Sequence, residues 1–194
     1  MSNNFLIQHQ NLIIMENSKI NANIIMAIIM AIPVIYLAVS WDAIPETIAT
    51  HFDINGEADA YGSKNTLFYL LALLLIPTFL IFKLIPIIDP KNKINSMGNS
   101  FEKIQIATMG FLSAIATFIV HIAVSGDNSP NNILYAIMGI SFMVLGNYFP
   151  TIKPNYFLGI RTPWTLENET VWRKTHRFGG RIYCLLYTSP SPRD

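Results

Sequence analysis

Four long apolar runs dictate what this chain can become: Ile24–Ser40, Thr66–Ile88, Ile104–Val124 and Ile133–Phe149. Together they hold one lysine, Lys83, and no Asp, Glu or Arg. At 1.5 Å per residue the first run covers about 25 Å, close to a hydrocarbon core of about 30 Å, and Ile20 and Ala22 extend it. None shows the polar face of a surface-lying helix. In lipid a backbone must satisfy its own N–H and C=O groups, so each run reads as a spanning helix. The expected fold is all-α: a polytopic integral membrane protein with four complete transmembrane helices and a fifth cut off from Ile182. Pro77 and Pro86 interrupt the second run, which membrane helices tolerate when neighbours satisfy the freed carbonyls. Lys83, near its end, can snorkel to the headgroups.

Composition agrees, with 52% apolar and 13% charged residues, where a soluble domain carries about 25% charged. A net charge of +1 argues against direct nucleic-acid binding, which needs a strongly basic face. Ala38-Val39-Ser40 could end a cleaved signal peptide, but the first run exceeds the usual h-region and only Lys19 precedes it, so a retained helix is expected.

The expected divisions are a polar N-terminal segment over 1–23, a helical hairpin over 24–88 with a loop at 41–65, a second hairpin over 89–149, and a basic stretch over 150–183. Met15 is a second candidate start, which would make 1–14 non-native. The tail Cys184–Asp194 (C-L-L-Y-T-S-P-S-P-R-D) equals an in-frame translation of a transposase sequencing adapter and is set aside as a scar over 184–194. Cys184 is the only cysteine, so no disulfide or Cys-ligated metal is expected.

Lys and Arg fall unevenly. The 41–65 loop holds only Lys64 and the Gly126–Asn132 turn holds none; Lys83–Lys103 has four, and Lys153–Arg181 has six of the chain's thirteen. By the positive-inside rule the N-terminus and both basic segments face the cytoplasm, leaving 41–65 outside.

Two stretches carry candidate chemistry. In the outer loop Asp53, Asn55, Glu57 and Asp59 alternate like the start of an EF-hand. Ala58 then stands where the loop needs Gly, and Lys64 where it needs Glu. A looser zinc or calcium site on His51 with Asp53 or Asp59 is an alternative; the plain reading is a solvated turn, with Asn55-Gly56 and Tyr61-Gly62 giving backbone freedom. In the basic stretch, Arg161, Arg173, Lys174, Arg177 and Arg181 form a basic rim, and Trp164 and Trp172 suit headgroup depth. T-L-E-N-E opens a helix on which Trp172, Thr175 and Gly179 share a face. His121 and His176 stand alone, without a second ligand at zinc spacing. No catalytic or phosphate-binding motif appears, so no enzyme, metal or cofactor is expected.

G-I-R-T-P-W-T-L (159–166) followed by V-W-R-K-T-H-R-F-G-G (171–180) resembles the signature of the SdpI family of bacterial membrane immunity proteins. I-P-x-x-I-x-x-H-F-x-x-x-G-x-x-D-x-Y-G-S-K (44–64) resembles the N-terminal module that accompanies it. The resemblance implies a multi-pass protein of the bacterial cytoplasmic membrane that protects against a secreted peptide toxin. It further implies a receptor role that draws an ArsR-like transcriptional repressor to the membrane. The module's own role is uncharacterised, but as the largest outward segment the 41–65 loop offers the toxin-facing candidates Pro45, His51, Phe52, Gly56, Asp59, Tyr61, Gly62 and Lys64; the basic stretch offers the docking candidates Arg161, Thr162, Pro163, Trp164, Trp172, Arg173 and His176. Relatives usually continue into further C-terminal spans. The competing class is a transporter, or a membrane-bound metal enzyme using His51 and its neighbouring carboxylates.

Overall fold

The computed structural model describes residues 2–53, 58–90, 93–126 and 132–185. Its elements are α1 (Ser2–Val39), β1 (Thr47–Phe52), β2 (Ala58–Ser63), α2 (Thr66–Ile88), α3 (Asn99–Ser125), α4 (Asn132–Tyr148), α5 (Pro163–Glu167) and α6 (Glu169–Leu185). Among the described residues four helices are long and apolar enough to cross a membrane, over Asn21–Val39, Thr66–Ile88, Asn99–Ser125 and Ile133–Thr151. The four apolar runs therefore fold as the sequence demands. α1 differs at its start, because residues 2–23 of the segment read as polar and N-terminal belong to the same helix, which is 38 residues long in all.

α3 is the centre of the bundle and packs against α1, α2 and α4. Its inward face carries two buried polar side chains, Gln105 and Ser113, and prolines explain both. Pro86 has no N–H, so in α2 the carbonyl of Phe82 loses its helical donor; Gln105 Nε2 donates to that oxygen at 3.2 Å. Pro33 does the same to Ile29 in α1, and Ser113 Oγ donates to the Ile29 carbonyl at 2.7 Å. The breaks at Pro33 and Pro86 are thus each closed by a side chain of α3.

Two apolar clusters stack along the bundle. One joins Leu37, Leu67, Leu71, Ala116 and Val120 to Ile44 and Ile48. The other joins Met26, Leu75, Phe82, Phe101, Ile104 and Met109 to Ile94, Met97, Ile152 and Trp172 from outside the spans. Outward-facing Ile35, Leu73, Ile87 and Ile140 are exposed, as a lipid-facing surface requires.

The 41–65 segment is no solvated turn. A short 3₁₀ turn at Trp41–Ala43 leads into an antiparallel hairpin that pairs Thr47 with Ser63 and Ala49 with Tyr61, irregular on both sides of His51. Ile44 and Ile48 anchor it on the ends of α1, α2 and α3, which supplies the packing that an isolated two-stranded ribbon lacks. Tyr61-Gly62, read as a turn, lies within β2. A Cβ at Gly62 would stand 3.0 Å from Thr50 Cγ2 across the ribbon, so close strand contact explains the glycine.

The proline–side-chain pairing is testable by a double-mutant cycle. Ser113→Ala should cost about 0.6–1.7 kcal/mol in the intact chain. It should cost less in a Pro33→Ala background, where residue 33 regains an N–H for Ile29. Equal costs in both backgrounds, measured by reversible unfolding in mixed micelles, would remove the link.

Candidate functional site

The hairpin and the basic stretch lie at opposite ends of the bundle, and each forms a structured surface. At the hairpin, His51 Nδ1 and Asp59 Oδ1 are 2.6 Å apart on neighbouring strands, both exposed. Lys64 is a clasp: Nζ lies 2.9 Å from Glu46 Oε1 and 4.7 Å from the Trp41 ring centroid, and its N–H donates to the Glu46 carbonyl. Pro45 and exposed Tyr61 line a cavity of about 250 Å³ between the hairpin and the end of α3. Phe52 ends β1, and Gly56 lies outside the described residues. Among the described residues no three His, Cys, Asp or Glu side chains gather to hold a metal.

The other end is built by local hydrogen bonding. After α4 and a 3₁₀ turn at Phe149–Thr151, buried Asn155 folds the chain back on itself. Its Oδ1 accepts from the N–H groups of Phe157 and Leu158 at 2.8 and 2.7 Å, while Nδ2 donates to the Lys153 carbonyl at 2.7 Å. Thr162 caps α5: its Oγ1 accepts from Thr165 N–H at 3.3 Å, and Thr165 Oγ1 accepts from Thr162 N–H at 2.8 Å. Pro163 occupies the first helical position, where a missing N–H costs nothing. Asn168 breaks the expected single helix in two. Its Oδ1 accepts from Thr170 and Val171 N–H at 2.8 and 3.2 Å, starting α6.

α6 is strongly amphipathic. Trp172, His176, Gly179 and Gly180 face inward, while Arg173, Lys174, Arg177, Phe178 and Arg181 face out. Trp172 is 0% exposed, and its indole N–H donates to the Ile152 carbonyl at 2.7 Å. His176 stacks on it with ring centres 4.1 Å apart. The His176 ring bridges two segments: Nδ1 donates to the Trp172 carbonyl at 2.9 Å, and Nε2 accepts from Ile160 N–H at 3.1 Å. Both contacts together demand the neutral Nδ1–H tautomer. Burial pushes the His176 pKa below its usual 6.5, outweighing the bond to the Trp172 carbonyl, which acts the other way.

The glycines follow from this packing. Gly159 has φ +99°, and a Cβ there would stand 2.1 Å from His176 Nε2. A Cβ on Gly180 would stand 2.7 Å from the Gly146 carbonyl of α4, and one on Gly179 2.9 Å from Ile160. The F-G-G segment lets α6 cross α4 backbone against backbone.

The docking candidates therefore separate. Trp172 and His176 are interior, so the reading of Trp172 as a ring at headgroup depth is corrected: its N–H is consumed inside the fold. Thr162 and Pro163 shape the start of α5. Arg161, Trp164 and Arg173 present side chains to the surface, Trp164 at 64% exposed. Arg161 donates to the Tyr156 carbonyl, and Arg173 lies 3.6 Å from Glu169 one turn away. Asn155 and Ile152 were not singled out from sequence, and Gly159 and Thr165 stood there only as members of the quoted motifs. The Asn two residues before an aromatic and four before a Gly was the available turn signal.

The two ends of the basic surface are one layer. Lys153 Nζ donates to the Ser96 carbonyl in the link between α2 and α3, and Asp89 Oδ2 accepts from Ile94 N–H at 2.8 Å to order that link.

A four-span bundle with a β-hairpin at one end and a folded basic layer at the other defines a multi-pass membrane protein. Residues 151–187 match the SdpI/YfhL protein family and residues 28–76 match a domain of unknown function, DUF1648. The chain carries the SdpI family signature, and its relationship extends beyond that signature. It is 26% identical over 160 residues to "Immunity protein SdpI" of Bacillus subtilis (strain 168), covering 82% of this chain and 75% of that protein. No solved structure matches the chain. α6 and the family match both reach past residue 183, into the first positions of the tail set aside above.

His176 gives a signed pH expectation. Its depressed folded pKa means the neutral form holds the fold, so its contribution is complete above about pH 6.5 and falls as pH drops below that value. Thermal unfolding of purified protein should lose more midpoint temperature between about pH 8 and pH 5 than unfolding of His176→Gln. An equal loss in both would detach the pH response from this ring.

Proposed function

We propose that this protein is a bacterial membrane immunity protein that acts by binding and not by catalysis. The single observation that carries the reading is the pairing of two family-matched modules at opposite ends of one bundle. The hairpin, with Tyr61 and the His51–Asp59 pair exposed, is the surface offered to a secreted peptide toxin; loops on rigid scaffolds commonly carry binding. The exposed Arg161, Trp164 and Arg173, held by the buried Trp172–His176 core, are the surface offered to a cytoplasmic partner such as an ArsR-like repressor. The Lys/Arg bias supports a cytoplasmic-membrane location with the N-terminus and the basic layer inside.

Topology has a direct check. Ala60→Cys should react with an impermeant thiol reagent in intact cells and Asn168→Cys should not; the reverse pattern would invert the map.

Complementation of a toxin-sensitive strain, with membrane abundance measured in parallel, tests the two surfaces. His51→Ala and Asp59→Ala should weaken protection at normal abundance. Arg161→Lys and Trp164→Phe should abolish function although charge, insertion and expression persist, because an ammonium cannot reproduce the planar guanidinium fork. Wild-type protection by the hairpin variants would clear the hairpin of toxin contact. Wild-type behaviour of the other pair would leave the basic layer only an anchoring role.

A further inference from the structure

At the basic end of the bundle the α1, α2 and α3 spans enclose a cavity of about 200 Å³. A lone water needs only about 10–15 Å³ of such volume, so the space suits a larger guest. Lys83 and Glu102 both line it, with the amides of Asn23 and Asn99 and an apolar floor of Phe82 and Phe101. The two rings meet edge to face at 6.2 Å. Gln105, whose amide closes the Pro86 gap, holds one wall in place.

Depth narrows the guest. The α1 span begins at Asn21, α2 ends at Ile88 and α3 begins at Asn99, so the cavity lies where hydrocarbon gives way to headgroups. Lys83 is the only charged residue inside the apolar run of α2. It is partly buried, and its Nζ stands 5.4 Å from the Phe79 ring centroid. An ammonium at this depth is costly without an anion, and the anion every bilayer offers there is a phospholipid phosphate. Glu102 facing the same space disfavours a ligand that is only anionic and favours one carrying a cation beyond its phosphate.

We propose that this cavity binds one phospholipid through a dipolar phosphoethanolamine headgroup, with the phosphate on Lys83 and the ammonium on Glu102. The asparagine amides supply further hydrogen bonds, and the acyl chains leave along the apolar faces of α1 and α2. The site does not depend on the toxin-binding reading.

Native mass spectrometry of the full chain, released from micelles with equal amounts of phosphatidylethanolamine, phosphatidylglycerol and phosphatidylcholine, tests this. One phosphatidylethanolamine should be retained in preference to the others. Lys83→Gln and Glu102→Gln should each lower its retention about tenfold, as expected for loss of a charge-assisted bond. Lys103→Gln, at an exposed position outside the cavity, should leave retention unchanged. Glu102→Gln keeps side-chain size, so it remains informative if Lys83→Gln inserts poorly. Equal retention of the three lipids, unchanged retention in both variants, or preference for phosphatidylglycerol would overturn the proposal. So would displacement by an equal amount of water-soluble glycerophosphoethanolamine, which would point to a free metabolite.

Discussion

A membrane interior leaves no water to satisfy a stranded carbonyl, and α3 meets two of those that prolines strand in this bundle. Pro33 and Pro86 free the oxygens of Ile29 and Phe82, and Ser113 and Gln105 on α3 reach across to bind them. Those two contacts fix how α1 and α2 sit against α3, because each side chain must meet one particular oxygen. Apolar packing along the same helices is far less selective, since lipid tails offer much the same contact as a neighbouring leucine. The positions of the hairpin, the cavity by Lys83 and the basic layer all follow from this registration.

Beyond the spans the same rule is met by different means. Asp89, Asn155, Thr165 and His176 are buried, and each is hydrogen-bonded to backbone or to a turn it shapes. The signature stretch is consequently a folding motif. Trp172 locks α6 to the turn after α4 through Ile152, His176 locks α6 to the loop before α5, and Gly159 leaves room for the imidazole. Among what this scaffold presents outward are a set of cations and two exposed aromatic rings, Trp164 and Phe178. Separating scaffold from surface explains why the motif is specific in order: the interior members set the order, and the exposed ones are carried on it.

The hairpin shows the same division on a smaller scale. Ile44, Ile48, Gly62 and Lys64 hold the ribbon to the bundle and to itself, while His51, Asp59 and Tyr61 stand free of the core. The ribbon thus carries a few exposed groups on a frame held by the bundle.

The sequence by itself determined the spans, their order and the shared side of the two basic segments, because apolar length and Lys/Arg bias act locally and need no partner. It also exposed the two motif stretches, since their residues are unlike anything else in the chain. Only the tertiary structure decided that Thr47–Phe52 and Ala58–Ser63 pair as strands, because the packing that supports the ribbon comes from α1, α2 and α3. It decided the fate of each signature residue for a similar reason. Trp172 and Trp164 are the same residue type eight positions apart, and nothing local distinguishes them. One is buried because the Ile152 carbonyl and the His176 ring meet it there, and the other is exposed because α5 ends before anything can cover it.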